Sequence, residues 1–577
     1  MVFERMRFEA ELQTLSEAGR PGQVALKGSP ERLPPPPKAC ADLFAGTRVA
    51  VVGAGLAGLM AALRLRERGV AVTVYEARAK VGGRVSTRKK FAAGRIIEEG
   101  AELIGSFHTA WLELALRYRL SVISRMDSEH YDRQGLRLKL AVNGRELANA
   151  EYFDLSDKLD AVLTKIADFA DGLVFDPSTP WMYSTLAGYD GEDVENALQQ
   201  RFGVRKTERR PDGTQQITGL WRMLEHLLVN DEVAQLKDMN FLGLLCKVKA
   251  GQGKRLGRPL GKNPEDDRQR KMGYWDELEI FRCAEGCGTL AEKMAADLKA
   301  GVKGKLKTRI NLLSPVTQIH LTDSGVVLGI SKASPNGEIE KEAPYPALYD
   351  YVVFTAPPTV WNRVSVTTGG KIEKGKALGG KAFDLKAKIG VMRDGPAIKH
   401  FTITGERFWL SEVPPAAPDG GTAELGQIWE ETDNQMSTGA DQDAVLAVFA
   451  GPLIASPMKP GGMAFRAPSK DECTAALRKL YPKAYPKSPK ILFANWPETP
   501  FIRTGYASPA KGQVMTVGAM LARPWGRMIF AGEHTHMAFF GYMEGALRSG
   551  ERAATLLEGL VCGGAIAPQH AGGTLVA

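Results

Sequence analysis

Apolar and polar positions change their period several times along the chain, and each change marks an element. Arg48-Val49-Ala50-Val51-Val52 is a short apolar run that predicts a buried strand, Leu59–Arg68 carries helical spacing up to Gly69, and Ala71–Tyr75 predicts a second strand. Together they form a β-α-β unit within about 30 residues, the start of a parallel sheet. Between 112 and 275 the pattern becomes mostly helical, with apolar residues at helical spacing in Asp154–Ala170, Glu192–Arg201 and Leu220–Leu245. Alternation returns in Ser314–Ile319 and Val326–Ile330, and Asp350–Thr355 is a buried strand stopped by Pro357-Pro358. Ala397–Thr404, Gln427–Trp429 and Ala444–Phe449 predict a second sheet, mixed or antiparallel. Arg527–Ala531 and then Met543–Leu557 read as a strand and a helix that return to the first sheet. The first 46 residues are polar and end in Pro34–Pro37, which predicts an extended arm, and the Gly-rich end 563–577 is expected to fray.

Composition narrows the class. A chain of 577 residues has room for two to four domains at about 150 residues each. With 44% hydrophobic and 24% charged residues it reads as globular. The net charge of +9 is modest for this size, and the basic stretch Lys254–Arg270 reads as a solvated loop rather than a nucleic-acid arm. Six cysteines are too few for a disulfide framework and point to a reducing, cytoplasmic setting. Cys283 and Cys287 are the only close pair, with no histidine at ligand spacing to them, so no metal site is expected. The N-terminus shows no signal-peptide pattern, and Ala50–Leu63 is too short and glycine-rich to span a bilayer, so no membrane association is expected.

The first chemistry-bearing motif is Gly53-Ala54-Gly55-Leu56-Ala57-Gly58, which fits G-x-G-x-x-G between a predicted strand and a helix. Gly53 permits a tight turn, Gly55 lets a pyrophosphate approach the backbone, and Gly58 lets helix pack on strand, with the helix N-terminus facing the phosphates. Glu76 ends the second strand 18 residues after Gly58, placed to accept bonds from both ribose hydroxyls of an adenosine. An acidic residue there disfavours NADP and leaves NAD and FAD open.

The next segment separates those two. Glu76-Ala77-Arg78-Ala79-Lys80-Val81-Gly82-Gly83-Arg84 resembles the E-A-R-x-x-x-G-G-R signature of the flavin-containing amine oxidase family. Phe530-Ala531-Gly532-Glu533-His534-Thr535 and Gly541-Tyr542-Met543-Glu544-Gly545-Ala546 resemble its C-terminal flavin motif. The resemblance implies bound FAD held by Gly53, Gly55, Ala57, Gly58, Glu76, Ala77, Arg78, Gly82, Gly83 and Arg84. It also implies Val316 at the adenine, Glu533 at the ribityl or pyrophosphate, and Gly541, Tyr542 and Met543 beside the ring and the second phosphate. Ile398-Lys399 with Phe408-Trp409 has the spacing of a family motif whose lysine holds a water near flavin N5, which implies a catalytic Lys399. Tyr506 and Tyr542 fall on the two cage tyrosines of monoamine oxidases. Gly505 stands where those enzymes carry the cysteine that bonds to flavin, which implies non-covalent FAD.

By this resemblance the fold is α/β: a discontinuous Rossmann-like FAD-binding domain with a mixed-sheet substrate-binding domain and a helical insertion. The expected division is an arm over 1–46, FAD-binding parts at 47–111, 276–345 and 501–560, a helical domain at 112–275, a substrate-binding domain at 346–500, and a tail at 561–577. The family oxidises a C–N bond by hydride transfer to flavin N5, with oxygen as acceptor. The helical insertion and Gln427–Gln435 resemble the bacterial L-amino acid oxidase and tryptophan 2-monooxygenase branch. The expected activity is therefore oxidation of apolar or aromatic L-amino acids to 2-oxo acids, ammonia and peroxide. A tryptophan 2-monooxygenase and a primary-amine or polyamine oxidase are the alternatives. That branch's G-x-x-R arginine is absent from Gly100-Ala101-Glu102-Leu103, so Arg84 is the candidate for a substrate carboxylate and Glu102 for a substrate ammonium. Trp221, with Tyr274 and Trp275, is expected to form an aromatic wall at the entrance, and a homodimer or higher homo-oligomer is expected.

Overall fold

The computed structural model describes residues 23–24, 38–92, 94–125, 128–251, 273–275, 277–301, 306–340, 345–403, 406–422, 425–433, 435, 444–453 and 466–563. The basic stretch 254–270, the proline run and the chain from 564 onward lie outside these residues.

Arg48–Val52 (β1) is followed by the helix Leu56–Glu67 (α1) and by Ala71–Tyr75 (β2). Much later the chain adds Arg309–Asn311 (β3), Tyr351–Phe354 (β4), Met528–Phe530 (β5) and the helix Met543–Val561 (α2). The order across the sheet is β3-β2-β1-β4-β5, and every pairing is parallel. Side chains of β1 divide between the faces: Val49 and Val51 join the core under α1, α2 and the helix Cys287–Ala300, whereas Ala50 and Val52 join the core on the other side. That second core lies under a five-stranded sheet built from Val316–Leu321, Val326–Ile330, Tyr345–Tyr349, Ser365–Thr368 and Lys381–Ala382. A strand buried on both faces reads as an unbroken apolar run, as β1 and β4 do.

Two glycines set how closely the α-layer sits. A Cβ on Gly58 would lie 2.0 Å from the Gly53 carbonyl oxygen, and one on Gly550 would lie 2.4 Å from that of Ala57. Gly58 lets α1 sit on β1 and its turn, and Gly550 lets α2 touch α1 backbone to backbone.

The substrate-side sheet has seven strands in the order Lys490–Asn495, Ile398–Ile403, Val445–Ala450, Gly426–Glu430, Ala416–Thr422, Arg137–Val142 and Arg145–Glu146. Its pairings are antiparallel except the one between Ala416–Thr422 and Arg137–Val142. Strand Arg137–Val142 comes from the region expected to be helical, so the insertion is stitched into this sheet. The helices Asn149–Gly172, Val194–Gln200, Gly219–Leu224 and Phe241–Gly251 enclose their own apolar core.

The stretch Leu220–Leu245, read from its helical spacing, holds two helices with a break between them. Gly219–Leu224 runs into a π-helical turn at Glu225–Val229, and a new helix begins at Phe241. Asn240 starts it: its Oδ1 accepts the Gly243 N–H at 2.7 Å, and its Nδ2 donates to Asp190 Oδ1 at 2.8 Å. The break places Asp231 at the cavity described below.

The arm expected over 1–46 is packed at its C-terminal end. Lys38–Gly46 is helical, Phe44 is fully buried, and Gln23–Val24 pairs with Val122–Ser124. Cys40 and Cys562 are joined by a disulfide, with Cα atoms 5.6 Å apart, which departs from the reading of the six cysteines as a reduced set. The other four are free and buried. Among the described residues no helix is long and apolar enough to cross a membrane, and no cluster of three or more His, Cys, Asp or Glu is arranged to hold a metal ion.

Candidate functional site

One large cavity, about 1900 Å³ including its open mouth, runs from the carboxyl ends of β1 and β4 to the seven-stranded sheet. Its first part is a dinucleotide cradle at the point where strand order reverses. Gly53 has φ +107°, and a Cβ there would collide with Thr355 Oγ1, which itself donates to the Val52 carbonyl at 2.7 Å. Gly82 and Gly83 also have positive φ, and Gly55 bridges to Gly82, bringing two glycine backbones side by side. The Glu76 carboxylate accepts the Ala54 N–H at 2.7 Å and the Arg78 N–H at 2.8 Å and lines the cavity. Each of its oxygens keeps a second lone pair for a hydroxyl.

Helices α1 and α2 both begin at the cavity, after Gly55 and Tyr542, and neither has a side chain capping its first turn. Two uncapped N-termini with close glycine backbone suit the two phosphates of a dinucleotide. Opposite them, Arg84 Nη1 donates to Glu533 at 2.7 Å and to the Gly505 carbonyl at 2.9 Å. The second oxygen of Glu533 accepts the Gly541 N–H at 2.7 Å. Burial pushes the Glu533 carboxyl up most strongly, but the Arg84 charge, His534 and the hydrogen bonds from Gly541 and Arg84 together hold it below the usual carboxylate range. A Cβ on Gly505 would lie 2.6 Å from that of Ala397, so this position has no room for the sulfur of a covalent linkage. These residues fit an FAD held by contacts alone.

The far part of the cavity is narrower in chemistry. Tyr506 and Tyr542 both line it; Tyr506 donates to the Asp231 carbonyl at 3.0 Å, and the Tyr542 hydroxyl lies 2.9 Å from that of Tyr274. A buried pair, Lys247 with Glu232 at 2.8 Å, sits behind Tyr542, with the ammonium 4.6 Å from its ring centroid. Lys399 lies 5.3 Å from the Trp429 ring and pairs with Glu102, which also accepts Arg282 Nε at 2.5 Å.

Asp231 and Glu279 line the same space. Gln427 Nε2 donates to Asp231 at 2.9 Å, whereas Glu279 has no hydrogen-bond or ion-pair partner among the described residues. Burial, and then the charge of Glu279, pushes Asp231 well above the ordinary aspartate range; burial likewise raises Glu279, against the nearby Arg125 charge. The sequence reading missed both. Asp231 lay inside a presumed continuous helix, and Glu279 carries no local motif.

Of the residues singled out from sequence, Gly53, Gly55, Ala57, Glu76, Ala77, Arg78, Gly82, Gly83, Arg84, Val316, Glu533, Gly541, Tyr542 and Met543 all line the cavity, as do Glu102, Lys399 and Tyr506. Gly58 does not; it serves the contact of helix with strand. Four residues lose their expected roles. Trp221 is fully buried in the core of the helical region, with its Nε1 donating to Glu225 at 3.1 Å, so it forms no entrance wall. Arg84 is already paired with Glu533 and is not free for a substrate carboxylate. Both oxygens of Glu102 are taken by cations, so it is not free for a substrate ammonium. Tyr274 is buried behind Tyr542, which removes it from the expected wall as well.

Comparison with known proteins agrees with this geometry. The model of the flavin containing amine oxidoreductase family matches residues 56–557. A probable flavin-containing monoamine oxidase A from Dictyostelium discoideum is 23% identical over 520 residues, covering 88% of this chain and 96% of that protein. The flavin-containing amine oxidase B of Rattus norvegicus is 24% identical, covering 88% of this chain and 85% of its own. Among solved structures, cyclohexylamine oxidase from Brevibacterium oxydans superposes with a TM-score of 0.62 at 20% identity over 89% of this chain and 99% of that one. A putrescine oxidase bound to putrescine gives 0.61 at 18% over 89% and 98%.

Proposed function

The chain belongs to the flavin containing amine oxidoreductase family, and from that premise we propose that it oxidises a primary amine or polyamine that enters as a cation. The observation that carries this reading is the pair Asp231 and Glu279, two raised carboxyls lining the cavity beside the tyrosines. A buried carboxylate without a cation is costly, and an ammonium relieves that cost. An amino acid would bring a third carboxylate to the same place. Of the cations lining the cavity, Arg84 and Lys399 are held by Glu533 and Glu102, while Arg78 belongs to the cradle motif and Arg363 packs on Phe501. None is free beside Asp231. This favours the amine over the L-amino acid and tryptophan monooxygenase readings.

A bound FAD supplies the acceptor for the two electrons leaving the C–N unit and passes them to oxygen. The protein does the rest. Asp231 and Glu279 draw the ammonium in and offer a carboxylate to take up the proton it loses before reaction, Tyr506 and Tyr542 flank the reacting carbon and exclude water, and Lys399 fixes a positive charge near the site of reduction. Hydride transfer needs no acidic or basic residue at the carbon itself.

The variants Asp231→Asn and Glu279→Gln test this. Each is expected to raise KM for amines by about 30-fold, roughly 2 kcal/mol, with kcat changed much less. An unchanged KM in both variants, together with faster turnover of L-amino acids than of amines by the parent protein, would overturn the reading.

A further inference from the structure

Lys399 is held from several sides by its own chain. It sits in strand Ile398–Ile403 opposite Phe449 and Ala494, and its ammonium donates to the Glu98 carbonyl at 3.2 Å and to Glu102. Two of its three N–H bonds are thereby used, and the remainder of the group borders the cavity. Glu102 is itself clamped: Arg282 donates to its other oxygen at 2.5 Å, reaches the Glu430 carbonyl at 3.1 Å, and pairs with Asp433. The charged and titratable groups around the ammonium are thus Glu98 and Glu102 from one segment, Arg282 from the strand Phe281–Cys283, Glu431 and Asp433 from the chain after Gly426–Glu430, and Glu279 across the cavity.

We propose that Glu102, clamped by Arg282, is the positioning residue that keeps Lys399 a permanently charged ammonium directed at the flavin end of the cavity. A lysine taken out of water ordinarily loses its proton readily. Here burial pulls Lys399 down, but the charges of Glu102 and Glu431 outweigh it and leave the group above the ordinary lysine value. Burial pushes Glu102 up, and Lys399 and Arg282 more than reverse that, holding it at about 2. Lys399 therefore acts as a fixed charge rather than a group that gains and loses a proton through the working pH range. Removing the Glu102 charge leaves Lys399 facing Arg282, so its proton becomes easier to lose.

The inference rests on the FAD-dependent reading, and its test needs bound flavin but no amine. The visible spectrum of the flavin-loaded protein is titrated between about pH 6 and 10, a span that ends below the ordinary lysine value. Carboxyls that titrate inside this span, such as Glu98 at about 7, are common to the parent protein and the variants. Glu102→Gln should add one further one-proton transition to those of the parent protein, and Glu102→Gln combined with Lys399→Met should lose it again. Oxygen reoxidation of dithionite-reduced flavin should fall about tenfold per pH unit above that transition in Glu102→Gln and stay level in the parent protein. A titration of Glu102→Gln with no transition beyond those of the parent protein, or an added transition that survives in the double variant, would overturn the proposal. Should Glu102→Gln not hold flavin, Glu102→Asp keeps a carboxylate one methylene short of both cations; it is expected to show the added transition at a higher pH, and its absence there would count equally against the proposal. A protein that passes these titrations yet oxidises no amine would contradict the substrate reading alone.

Discussion

Asp231 and Glu279, the proposed ammonium site, show how a binding residue would be stored at a loss. Their carboxyls stand above their ordinary values because burial disfavours charge in both, with the Glu279 charge adding to it at Asp231 and the Glu102 charge at Glu279. For such groups the folded state is penalised as pH rises through the unfolded value, and the penalty is complete above the folded value. Asp231→Asn is therefore expected to melt at a higher temperature than the parent protein at neutral pH, with the advantage vanishing below about pH 4, where the unfolded carboxyl is protonated too. The same residue sets the pH response of binding: KM for an amine should rise as pH falls through the raised carboxyl value, and that rise should disappear in the double amide variant. A parent protein and double variant with the same KM profile would separate these carboxyls from the substrate. Lys399 contrasts with them, since its charge is compensated on the spot by Glu102.

At the level of elements, the cradle depends on how near α2 lies to α1. Gly550→Ala puts a methyl 2.4 Å from the Ala57 carbonyl oxygen, whereas Gly559 in the same helix has nothing within 4 Å. Gly550→Ala is expected to destabilise by about 1–3 kcal/mol and to loosen FAD, while Gly559→Ala should stabilise by up to about 1 kcal/mol through helix propensity. Thermal melting with and without added FAD checks both. This is also the scale at which the sequence was most readable. Strands such as Val326–Ile330 and the helix from Met543 stand out because their period and their glycine or proline stops are local. The cofactor residues were legible for the same reason, since a cradle is built from consecutive backbone. The residues proposed for the substrate side were not. Asp231 is exposed to the cavity by a helix break between Val229 and Phe241, Glu279 meets it from 48 residues away in the chain, and the Glu102–Arg282–Lys399 cluster joins three distant segments. Trp221 failed in the other direction: a large aromatic on a helix is recognisable, but which core it enters is decided by packing.

For the whole molecule, the FAD-binding sheet is assembled from pieces spread between Arg48 and Phe530, and the disulfide ties the packed helix near the N-terminus to the end of α2, across a separation of 522 residues. Closing so long a loop stabilises mainly by limiting the unfolded chain, on the order of 6 kcal/mol in the chain-entropy picture. Thiol titration of the denatured, unreduced protein is expected to find four free cysteines, and six after reduction. Finding six without reductant would remove the disulfide from the account, leaving the helix Lys38–Gly46 held by Phe44 and its neighbours alone.

The central claim is that this flavin cavity accepts electrons from a cationic amine and not from the corresponding amino acid. Anaerobic mixing of the flavin-loaded protein with phenethylamine, tryptamine or putrescine, and in parallel with L-phenylalanine or L-tryptophan, tests it most directly. The account predicts that at least one amine bleaches the visible flavin absorbance within seconds to minutes while both amino acids leave it unchanged; bleaching by an amino acid with none by any amine would contradict it.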